Sequence, residues 1–395
     1  MVKVLIVTPF YPLPENQNGV NKIIFHLLKN NPYYNADVLT LFTEEDMKFF
    51  DQEKVFNSKF FKVKANYFDK KILILKWIFS KYPFNVVKQQ LNFDGIKQEI
   101  IKLHYNYDVI HIATPFLFPI LNELDKEILK KVVLFPIDSF TYFTKNRLNS
   151  SKIFNKIPFY VDYIKWKDLE KNIYKKFPNK VFFVSDKDSN YVNNFDKNIK
   201  TSFIPNGVDI DYFKKLNNKF EKNSIIFTGN MSYAPNKDAV KFLLFEILPL
   251  VKKQIPDIKV FIVGLNADKE FKDINMKNVI IKGYVEDIRE WINKAEIFVS
   301  PLRFGSGIKN KVLEAMAMEK VVIGTDISFE GINGKENVYI KASLDPKDFA
   351  NKIIEVLKNK PLEIEKNARR LIEENYSWDF IRKKYGEVYE NCISN

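Results

Sequence analysis

A strand, a turn, a helix and a second strand follow one another in EIFVSPLRFGSGIKNKVLEAMAMEKVVIGTD, residues 296–326. The apolar runs EIFVSPL (296–302) and KVVIGTD (320–326) are typical of strands that are buried on both faces of a parallel sheet. Parallel neighbours need a crossover connection, and the helix between the two runs provides one. The stretch therefore predicts a β-α-β unit.

The same alternation of strand and helix signals extends along both halves of the chain. Apolar runs of this kind predict further strands at KVLIVTPF (3–10), ADVLTLF (36–42), DVIHIAT (108–114), KVVLFPI (131–137), KVFFVS (180–185), TSFIPNGV (201–208), NSIIFTGNM (223–231), IKVFIVG (258–264) and NVIIKGYV (278–285). We expect an α/β protein with two doubly wound parallel-sheet domains that face a cleft. Ligands of such sheets bind outside the carboxyl ends of the strands.

The chain of 395 residues is too long for one hydrophobic core and is expected to form two domains. The stretch IPNGVDIDYFKKLNNKFEKN (204–223) is rich in turn formers and lysine, which favours a hinge there. We therefore expect one domain over residues 1–205 and another over 206–376. A last helix over 377–391 is expected to pack back on the first domain.

The chain carries 62 Lys and Arg against 49 Asp and Glu, a net charge of +13. Biased lysine usage, an anionic membrane surface and nucleic acid are all compatible with this excess. Because there is no basic tail, nucleic acid is the least favoured of the three, and we expect no nucleic-acid partner.

The single cysteine, Cys392, excludes an intrachain disulfide framework, which fits a reducing cytosol. No uncharged apolar run reaches the length of about 18 residues that a membrane-spanning helix needs. We expect a cytoplasmic protein. Peripheral contact with the anionic inner face of the membrane stays open.

Familiar nucleotide and metal motifs do not fit. The first strand is followed by TPFYPLPENQNG, which is no G-x-G-x-x-G turn, and no glycine-rich stretch satisfies the P-loop pattern. The pairs Asp209/Asp211 and Asp186/Asp188 are compatible with a metal ion but fit turn and helix-cap roles better. We expect no bound metal.

The turn before the helix of residues 296–326 has the residues of an anion site. Gly305 and Gly307 allow close approach of a ligand, and a helix starting near Ile308 would direct its N–H groups and positive dipole end at that ligand. Lys309 and Lys311 add positive charge where it is unfavourable unless an anion is present. A diphosphate bound at this helix start, with a pair of sugar hydroxyl groups bound by Glu314, would fit these residues. The alternative is an exposed helix start with ordinary surface lysines.

The segment PLRFGSGIKNKVLEAMAMEKVV, together with FIPNGVDIDYF at the hinge, resembles the GT4-type retaining glycosyltransferases of group 1. This resemblance implies the GT-B fold, with two Rossmann-like domains of which 1–205 binds the acceptor and 206–376 the donor. It implies transfer of a sugar from a nucleotide-diphosphate sugar to a hydroxyl, with retention and without a metal or other cofactor. The acceptor would be a glycan or a lipid-linked sugar, as in synthesis of bacterial surface polysaccharides or glycoconjugates.

The resemblance also implies roles for individual residues of the donor domain. Glu314 matches the second glutamate of a paired motif and would bind the ribose hydroxyls, whereas Ser306 stands where the first glutamate is expected. Gly229 and Asn230 follow the first strand of this domain, where family members commonly carry an arginine and a lysine. The positive charge would then come from Arg303, Lys309 and Lys311.

On the acceptor side the resemblance is sparser. Gly19 matches a glycine whose backbone nears the donor phosphates, or it is an ordinary glycine at a helix start. Asp138 follows the strand VVLFP, where many members carry a histidine, and is the candidate for contact with the sugar or the acceptor hydroxyl. A turn or cap role for Asp138 is the alternative. His111 fits a structural histidine better than a residue that lines the cleft.

Two other functions share parts of this pattern. A sugar-nucleotide epimerase has the same scaffold, and a non-catalytic nucleotide-sugar binding protein would keep the phosphate site. Helices predicted over 73–84 and 160–177 combine lysine with Trp, Tyr and Phe, which suggests an anionic membrane surface, unless their aromatic residues pack on the sheet.

Overall fold

The computed structural model describes residues 1–14, 19–149, 156–217, 220–305, 307–334, 337–359 and 361–394. The chain divides into two compact units. Unit 1 comprises Met1–Pro205 and Ile381–Asn395, and unit 2 comprises Asn206–Phe380. Each unit is a parallel sheet covered by helices, which confirms the two doubly wound α/β domains predicted from the sequence.

The sheet of unit 1 has the strand order β3-β2-β1-β4-β5-β6-β7 within the described residues. Its strands are β1 (Lys3–Thr8), β2 (Asn35–Phe42), β3 (Phe60–Lys64), β4 (Val109–Ile112), β5 (Val132–Ile137), β6 (Val181–Phe183) and β7 (Ser202–Phe203). β1 pairs in parallel with β2 and β4, and Val4–Val7 are wholly inaccessible to solvent. Burial on both faces explains why β1 is continuously apolar.

Helices connect these strands and cover both faces of the sheet. They are α1 (Gly19–Leu28), α2 (Lys70–Phe79), α3 (Phe84–Gln89), α4 (Phe93–Leu103), α5 (Lys126–Lys130), α6 (Phe140–Asn149), α7 (Lys156–Tyr174) and α8 (Asp186–Asn193). Short 3-10 segments occupy Glu44–Val55, Gln90–Asn92, His104–Asn106 and Pro115–Glu123.

The sheet of unit 2 has the order β10-β9-β8-β11-β12-β13 in the described part of the chain. Its strands are β8 (Ser224–Thr228), β9 (Lys259–Val263), β10 (Val279–Lys282), β11 (Ile297–Ser300), β12 (Val321–Gly324) and β13 (Ile340–Lys341). Its helices are α9 (Ala234–Phe242), α10 (Leu248–Lys252), α11 (Ala267–Glu270), α12 (Ile288–Lys294), α13 (Asn310–Ala317), α14 (Pro346–Asn359) and α15 (Leu362–Asn375). A π-helical turn, Leu243–Ile247, joins α9 to α10, and a 3-10 segment occupies Asp326–Phe329.

The last helix, α16 (Trp378–Ser394), begins in unit 2 and has most of its length in unit 1. The Tyr389 hydroxyl lies 2.7 Å from Nδ1 of His111 on β4, and the Tyr385 ring stacks on Phe135 of β5. Nη1 of Arg382 donates to the carbonyl of His26 at 3.2 Å. These contacts attach α16 to the sheet of unit 1.

Two edge strands and the end of one helix differ from the sequence predictions. The edge strands β3 and β13 were not predicted, because β3 (FFKVK) is only partly buried and β13 has two residues. The helix predicted over 73–84 is wrong at its end, since α2 stops at Phe79, Ser80 is extended and Pro83 caps α3. Pro83 disfavours the helical conformation at the residue before it, Tyr82, so one helix cannot continue through to Phe84. None of the helices in the described ranges is both long and apolar enough to span a membrane.

Candidate functional site

The candidate site of unit 2 lies where its strand order reverses. The chain lays down β8, β9 and β10 in one direction and then returns to place β11 on the other side of β8. Gly229 and Asn230 follow β8, and the loop after β11 leads into α13. In open α/β sheets this reversal leaves a crevice at the carboxyl ends of the strands, where ligands bind.

Helix α13 begins two residues later than predicted. Its first residue is Asn310, and Lys309 is the N-cap residue with extended backbone angles (φ −92°, ψ 92°). Gly307 has φ of 75°, which favours glycine and keeps the chain out of the helix at this point. Lys309 and Lys311 therefore stand at the N-cap and at the second helical position, where the helix dipole disfavours cations.

Lys311 is the central cation of this site. Its Nζ donates to Oδ1 of Asn236 at 2.5 Å and lies 4.1 Å from the ring centroid of Phe227. The side chain is partly buried, and desolvation, followed by the charge of Lys309, lowers its pKa to about 7. An anion placed at Nζ would oppose both effects and favour the protonated form.

Gly229 brings the backbone close to this ammonium group. A Cβ atom on Gly229 would lie 2.8 Å from Nδ2 of Asn236 and 3.2 Å from Nζ of Lys311. Nδ2 of Asn236 donates to the carbonyl of Asn230 at 2.9 Å. Asn236 thus links two candidate residues, although the sequence did not indicate it beyond its place in the loop MSYAPNK.

Arg303 is engaged elsewhere in unit 2. Its Nε and Nη2 donate to the carboxylate of Asp238 at 2.8 and 2.6 Å, and Nη1 lies 3.5 Å from Oε1 of Glu246. Its guanidinium also lies 4.9 Å from the ring centroid of Phe242. Of the three cations singled out from the sequence, the structure brings Lys309 and Lys311 to the start of α13 and places Arg303 on two carboxylates.

The remaining candidates of unit 2 surround α13. A Cβ atom on Gly305 would lie 3.6 Å from Pro235, at the start of α9. Glu314 lies one turn beyond Lys311, is partly exposed, and its charge acts to raise the pKa of Lys311. Nζ of Lys309 donates to the carbonyl of Gly307. Ser306 lies outside the described residues.

Asp138 of unit 1 follows a strained residue. Ile137, the last residue of β5, has φ of 70°, and the N–H of Asp138 donates to the carbonyl of Pro136 at 2.9 Å. A β-branched residue rarely adopts this conformation, and such strain is concentrated at functional sites. Desolvation raises the pKa of the Asp138 carboxyl, but the side chain is exposed, so water offsets much of this effect.

Two carboxylates hold the backbone that follows Asp138. Oδ1 of Asp188 accepts from the N–H of Ser139 at 2.9 Å, and Oε1 of Glu170 accepts from the N–H of Phe140 at 2.8 Å. Oε2 of Glu170 accepts from the Ser139 hydroxyl at 3.0 Å. Glu170 is wholly buried, and desolvation raises its pKa to about 7 against the effect of these donors.

Glu170 is a buried residue of this region that the sequence did not indicate. The run KWKDLEKNIYKKF (165–177) has the alternating charges of a solvated helix, yet Glu170, within it, is inaccessible. The signal was hidden because the segment that Glu170 caps begins 30 residues earlier in the chain.

His111 has the structural role that the sequence favoured. It is 1% exposed on β4, its Nδ1 meets the Tyr389 hydroxyl, and its ring stacks on Phe135 at 4.1 Å. Burial lowers its pKa to about 3, so the imidazole is neutral near pH 7.

The aspartate pairs also act in turns and caps. Oδ1 of Asp209 accepts from the N–H groups of Asp211 and Tyr212, and Asp188 lies in the first turn of α8. Among the described residues, no cluster of three or more His, Cys, Asp and Glu side chains is placed to bind a metal.

A cavity of unit 1, of about 320 Å³, was not foreseen from the sequence. It lies beyond the carboxyl ends of β1, β2 and β3, and its lining includes Tyr11, Glu45, Asp46 and Tyr67. No single motif marks the cavity, because its residues come from three separate loops.

Gly19, the first residue of α1, is exposed, and a Cβ atom there would contact nothing within 4 Å.

Comparison with known proteins agrees with this geometry. Residues 222–359 match the family model for glycosyl transferases group 1. The match extends from before β8 to the end of α14, so it contains Gly229, Lys311 and Glu314.

Three similar proteins extend the comparison. An uncharacterized 44.6 kDa protein in the cps region of Klebsiella pneumoniae is 25% identical over 391 residues, covering 95% of this chain and 97% of its own. A UDP-Gal:alpha-D-GlcNAc-diphosphoundecaprenol alpha-1,3-galactosyltransferase of Escherichia coli is 28% identical over 222 residues, covering 50% and 56%. The solved glycosyltransferase of Rickettsia africae shares the fold, with a TM-score of 0.66 at 17% identity, covering 100% of this chain and 99% of its own.

Proposed function

We propose that this chain, which belongs to the group 1 glycosyltransferases and has the GT-B fold, transfers a sugar from a nucleotide-diphosphate sugar to an acceptor hydroxyl with retention. Unit 2 would bind the donor and unit 1 the acceptor. The observation that carries the donor assignment is the environment of Lys311.

Lys311 has the properties of a phosphate ligand. Its ammonium is partly buried at a helix start, its hydrogen-bond partner is the neutral amide of Asn236, and its pKa is lowered to about 7. A cation held in this way costs free energy until an anion reaches it. A diphosphate would meet Lys311 together with the N–H groups of α13, and Lys309 adds charge beside it.

The other candidate residues have complementary roles in this proposal. Glu314, one turn along α13, would accept hydrogen bonds from the ribose hydroxyls. Gly229 and Asn230 would let the donor approach the backbone closely beside Lys311. Gly305 and Gly307 would do the same from the loop after β11. Arg303, which pairs with Asp238, would hold this loop against α9.

The transfer itself needs no nucleophilic side chain in this scheme. The bond between the anomeric carbon and the diphosphate oxygen breaks, and the acceptor oxygen bonds to the same face of that carbon. An oxygen of the leaving diphosphate takes the acceptor proton. Lys311 and the start of α13 stabilise the charge that develops on the leaving group, which is where electrostatic preorganisation contributes most.

Asp138 would act at the sugar or at the acceptor hydroxyl. Its backbone is fixed on both sides, by the turn at Ile137 and by the contacts of Ser139 with Asp188 and Glu170. A carboxylate held on a rigid support loses little entropy when it binds a hydroxyl group.

The substrate classes follow from the relatives. The galactosyltransferase of Escherichia coli is named for a UDP-sugar donor and a lipid-diphosphate-linked sugar acceptor, and the Klebsiella relative is named for the cps region. We therefore propose a UDP-sugar as donor, a lipid-linked sugar as acceptor, a role in surface polysaccharide synthesis and peripheral contact with the membrane that carries the acceptor. Because Lys309 and Lys311, and not a divalent ion, would neutralise the diphosphate, we propose that the transfer reaction needs no metal.

An epimerase and a non-catalytic sugar-nucleotide binder were the alternatives from the sequence. The family match and the named relative favour transfer over both. An epimerase would consume the donor without an acceptor, so donor turnover in the absence of any acceptor separates the two activities.

A donor panel tests the proposal directly. The melting temperature of the protein is measured with UDP-, GDP-, ADP- and dTDP-sugars in the presence of EDTA. Ligand at a hundredfold excess over its Kd stabilises a protein by about 2.7 kcal/mol, and we expect this effect from a UDP-sugar. The same donor with radiolabelled sugar and a bacterial lipid extract should yield a labelled lipid.

The outcomes separate the parts of the proposal. Stabilisation by no nucleotide sugar would reject the donor site, and stabilisation by a GDP-, ADP- or dTDP-sugar alone would replace the donor base. Labelling that EDTA abolishes and Mn²⁺ restores would reject metal independence but keep the transfer reaction.

A further inference from the structure

Helix α2 of unit 1 is exposed along nearly its whole length. Of its ten residues, Leu73 alone is buried, and Trp77 is partly buried. Five large apolar side chains face solvent, with exposed fractions of 49% for Ile72, 41% for Ile74, 58% for Leu75, 55% for Ile78 and 82% for Phe79. Single exposed apolar residues are ordinary, but five within one short helix indicate an interaction surface.

The neighbouring helix α7 carries a second exposed apolar stripe. Ile157, Tyr160 and Ile164 are 76%, 53% and 47% exposed. Their spacing of three and four residues places them on one face of the helix, as it does for Ile72, Leu75 and Phe79 of α2.

Direct contacts join the two helices. Nε1 of Trp77 on α2 donates to Oδ1 of Asp162 on α7 at 3.1 Å, and Nζ of Lys165 donates to the carbonyl of Trp77 at 2.5 Å. The eight exposed apolar residues therefore belong to one pair of packed helices, which we call the α2–α7 face.

The charges around the α2–α7 face are positive. Lys70, Lys71 and Lys76 on α2, Lys81 beyond it and Lys156 on α7 are all exposed. Helix α2 contains no acidic residue.

The two carboxylates that hydrogen-bond to α2 are occupied within the fold. Asp69 accepts from the N–H of Lys71 as the cap of α2, and Asp162 accepts from Trp77 and from the N–H of Phe84. Lysines thus surround the apolar residues without matching surface carboxylates on α2.

We propose that the α2–α7 face docks on an anionic bilayer, with α2 lying in the plane of the interface. Helices of this kind bury apolar side chains at the boundary of headgroups and acyl chains, while lysines contact anionic headgroups. A symmetric dimer through the same face would bring two sets of lysines together, which disfavours a second copy as the occupant. The inference depends on exposed residues alone and holds or fails independently of the transfer reaction.

Vesicle binding tests the inference with matched variants. The full chain is sedimented with vesicles of phosphatidylcholine, or of phosphatidylcholine with 30% phosphatidylglycerol, chosen as roughly the anionic content that attracts basic segments. We expect binding to the anionic vesicles, weakened by high salt. The double variant Leu75→Glu/Phe79→Glu should bind at least about tenfold more weakly, because each buried apolar side chain contributes about that factor.

Controls of equal chemistry lie in unit 2. Leu362 is 64% exposed, and Leu362→Glu should leave vesicle binding unchanged. Replacing Lys70, Lys71 and Lys76 by serine should reduce binding more than replacing the exposed Lys269, Lys272 and Lys347. An unchanged far-UV circular dichroism spectrum and melting temperature, measured on each variant, show that the fold is intact.

A positive signal from the interface completes the test. In a Cys392→Ser background, Phe79→Cys carries an environment-sensitive dye that should shift to shorter wavelength with anionic vesicles, whereas the same dye at Leu362→Cys should not. Absence of binding to anionic vesicles, equal losses in the unit 2 controls, or a dimer that Leu75→Glu/Phe79→Glu dissociates would each overturn the inference.

Discussion

The carboxyl ends of the two sheets carry opposite kinds of ionisable side chain. In unit 2, Lys311 and Lys309 stand at the start of α13, and in unit 1, Glu170 and Asp188 hold the segment after Asp138. Desolvation acts on both sides, since it lowers the pKa of Lys311 to about 7 and raises that of Glu170 to about 7. A cationic edge suits a diphosphate, and a carboxylate edge suits hydroxyl groups of a sugar or acceptor.

The two shifted groups nevertheless have different roles. Glu170 is wholly buried and accepts from Ser139 and Phe140, so its carboxylate is used within the fold. Lys311 is partly accessible and donates to one neutral amide, so it keeps capacity for a ligand. A perturbed pKa indicates a ligand site only where the group is also accessible to the ligand.

The largest expected effect follows from removing the cation. Lys311→Ala should lower the affinity for UDP and the kcat/KM for the UDP-sugar by about 10- to 100-fold, because a hydrogen bond to a charged group contributes roughly 1.5 to 3 kcal/mol. Titration calorimetry measures the UDP affinity. Uridine lacks the diphosphate, so its affinity, which we assign to Glu314, should stay within about twofold of the unmodified protein's value.

Two further variants are compared with Lys311→Ala. Lys347→Ala removes an exposed lysine of unit 2 and should leave UDP affinity unchanged. Lys311→Met removes the charge but keeps the volume, so it should raise the melting temperature of the donor-free protein. Equal UDP affinity in Lys311→Ala and Lys347→Ala would reject Lys311 as a phosphate ligand and, with it, the contrast between the two sheets.

The second prediction concerns Asp138, at the carboxyl edge of the unit 1 sheet. Asp138→Asn keeps the shape of the side chain and removes its charge, so it should lower kcat about tenfold while UDP affinity is unchanged. The matched control is Asp186→Asn, on the first residue of α8, which should leave kcat unchanged. If Asp138→Asn instead weakens UDP binding with normal kcat, the assignment of donor and acceptor contacts to separate units is wrong.

The sequence predicted the parts of the molecule in which local pattern and structure coincide. Strands such as β1 and β11 are buried on both faces, and their continuous apolar runs showed it. The cationic start of α13 was visible because Gly307, Lys309 and Lys311 lie within five residues of one another. The weak edge strands β3 and β13 escaped, because partial burial leaves no clear period.

Features that depend on distant parts of the chain were not predicted. Asn236 reaches Lys311 across 75 positions, and Arg303 reaches Asp238 across 65, so neither partner could be assigned from spacing. The sequence grouped Arg303 with the lysines because all three are basic. Its actual partners are carboxylates, which became apparent only from the fold.

The smallest expected effect on the reaction belongs to Glu170, whose titration changes the pH dependence of stability instead. Its pKa in the folded protein is about 7, above the usual 4.5, because desolvation disfavours the charged form. Between about pH 4.5 and 7 the folded chain therefore holds a proton that the unfolded chain has lost, so the free energy of unfolding falls as pH rises through this window. One pKa unit corresponds to about 1.4 kcal/mol, so we expect a loss on the order of 3 kcal/mol.

Glu170→Gln should remove this slope, because glutamine does not titrate. Urea unfolding of both proteins at pH 4.5, 5.5, 6.5 and 7.5, values set by the titration window, measures the difference in unfolding free energy, which cancels contributions from His111 and other shared groups. The variant should be less stable than the unmodified protein at the lowest pH, where Glu170 is protonated in the folded chain and least ionised in the unfolded chain. The difference in unfolding free energy between the two proteins should become smaller as the pH rises. Glu127→Gln, on the exposed surface of α5, is the control and should leave the slope of this window in place. If the difference in unfolding free energy between the two proteins stays constant or widens as the pH rises, Glu170 is ionised throughout this window. The carboxyl edge of the unit 1 sheet would then carry a buried negative charge at Glu170 in addition to the charge of Asp138, contrary to our assignment.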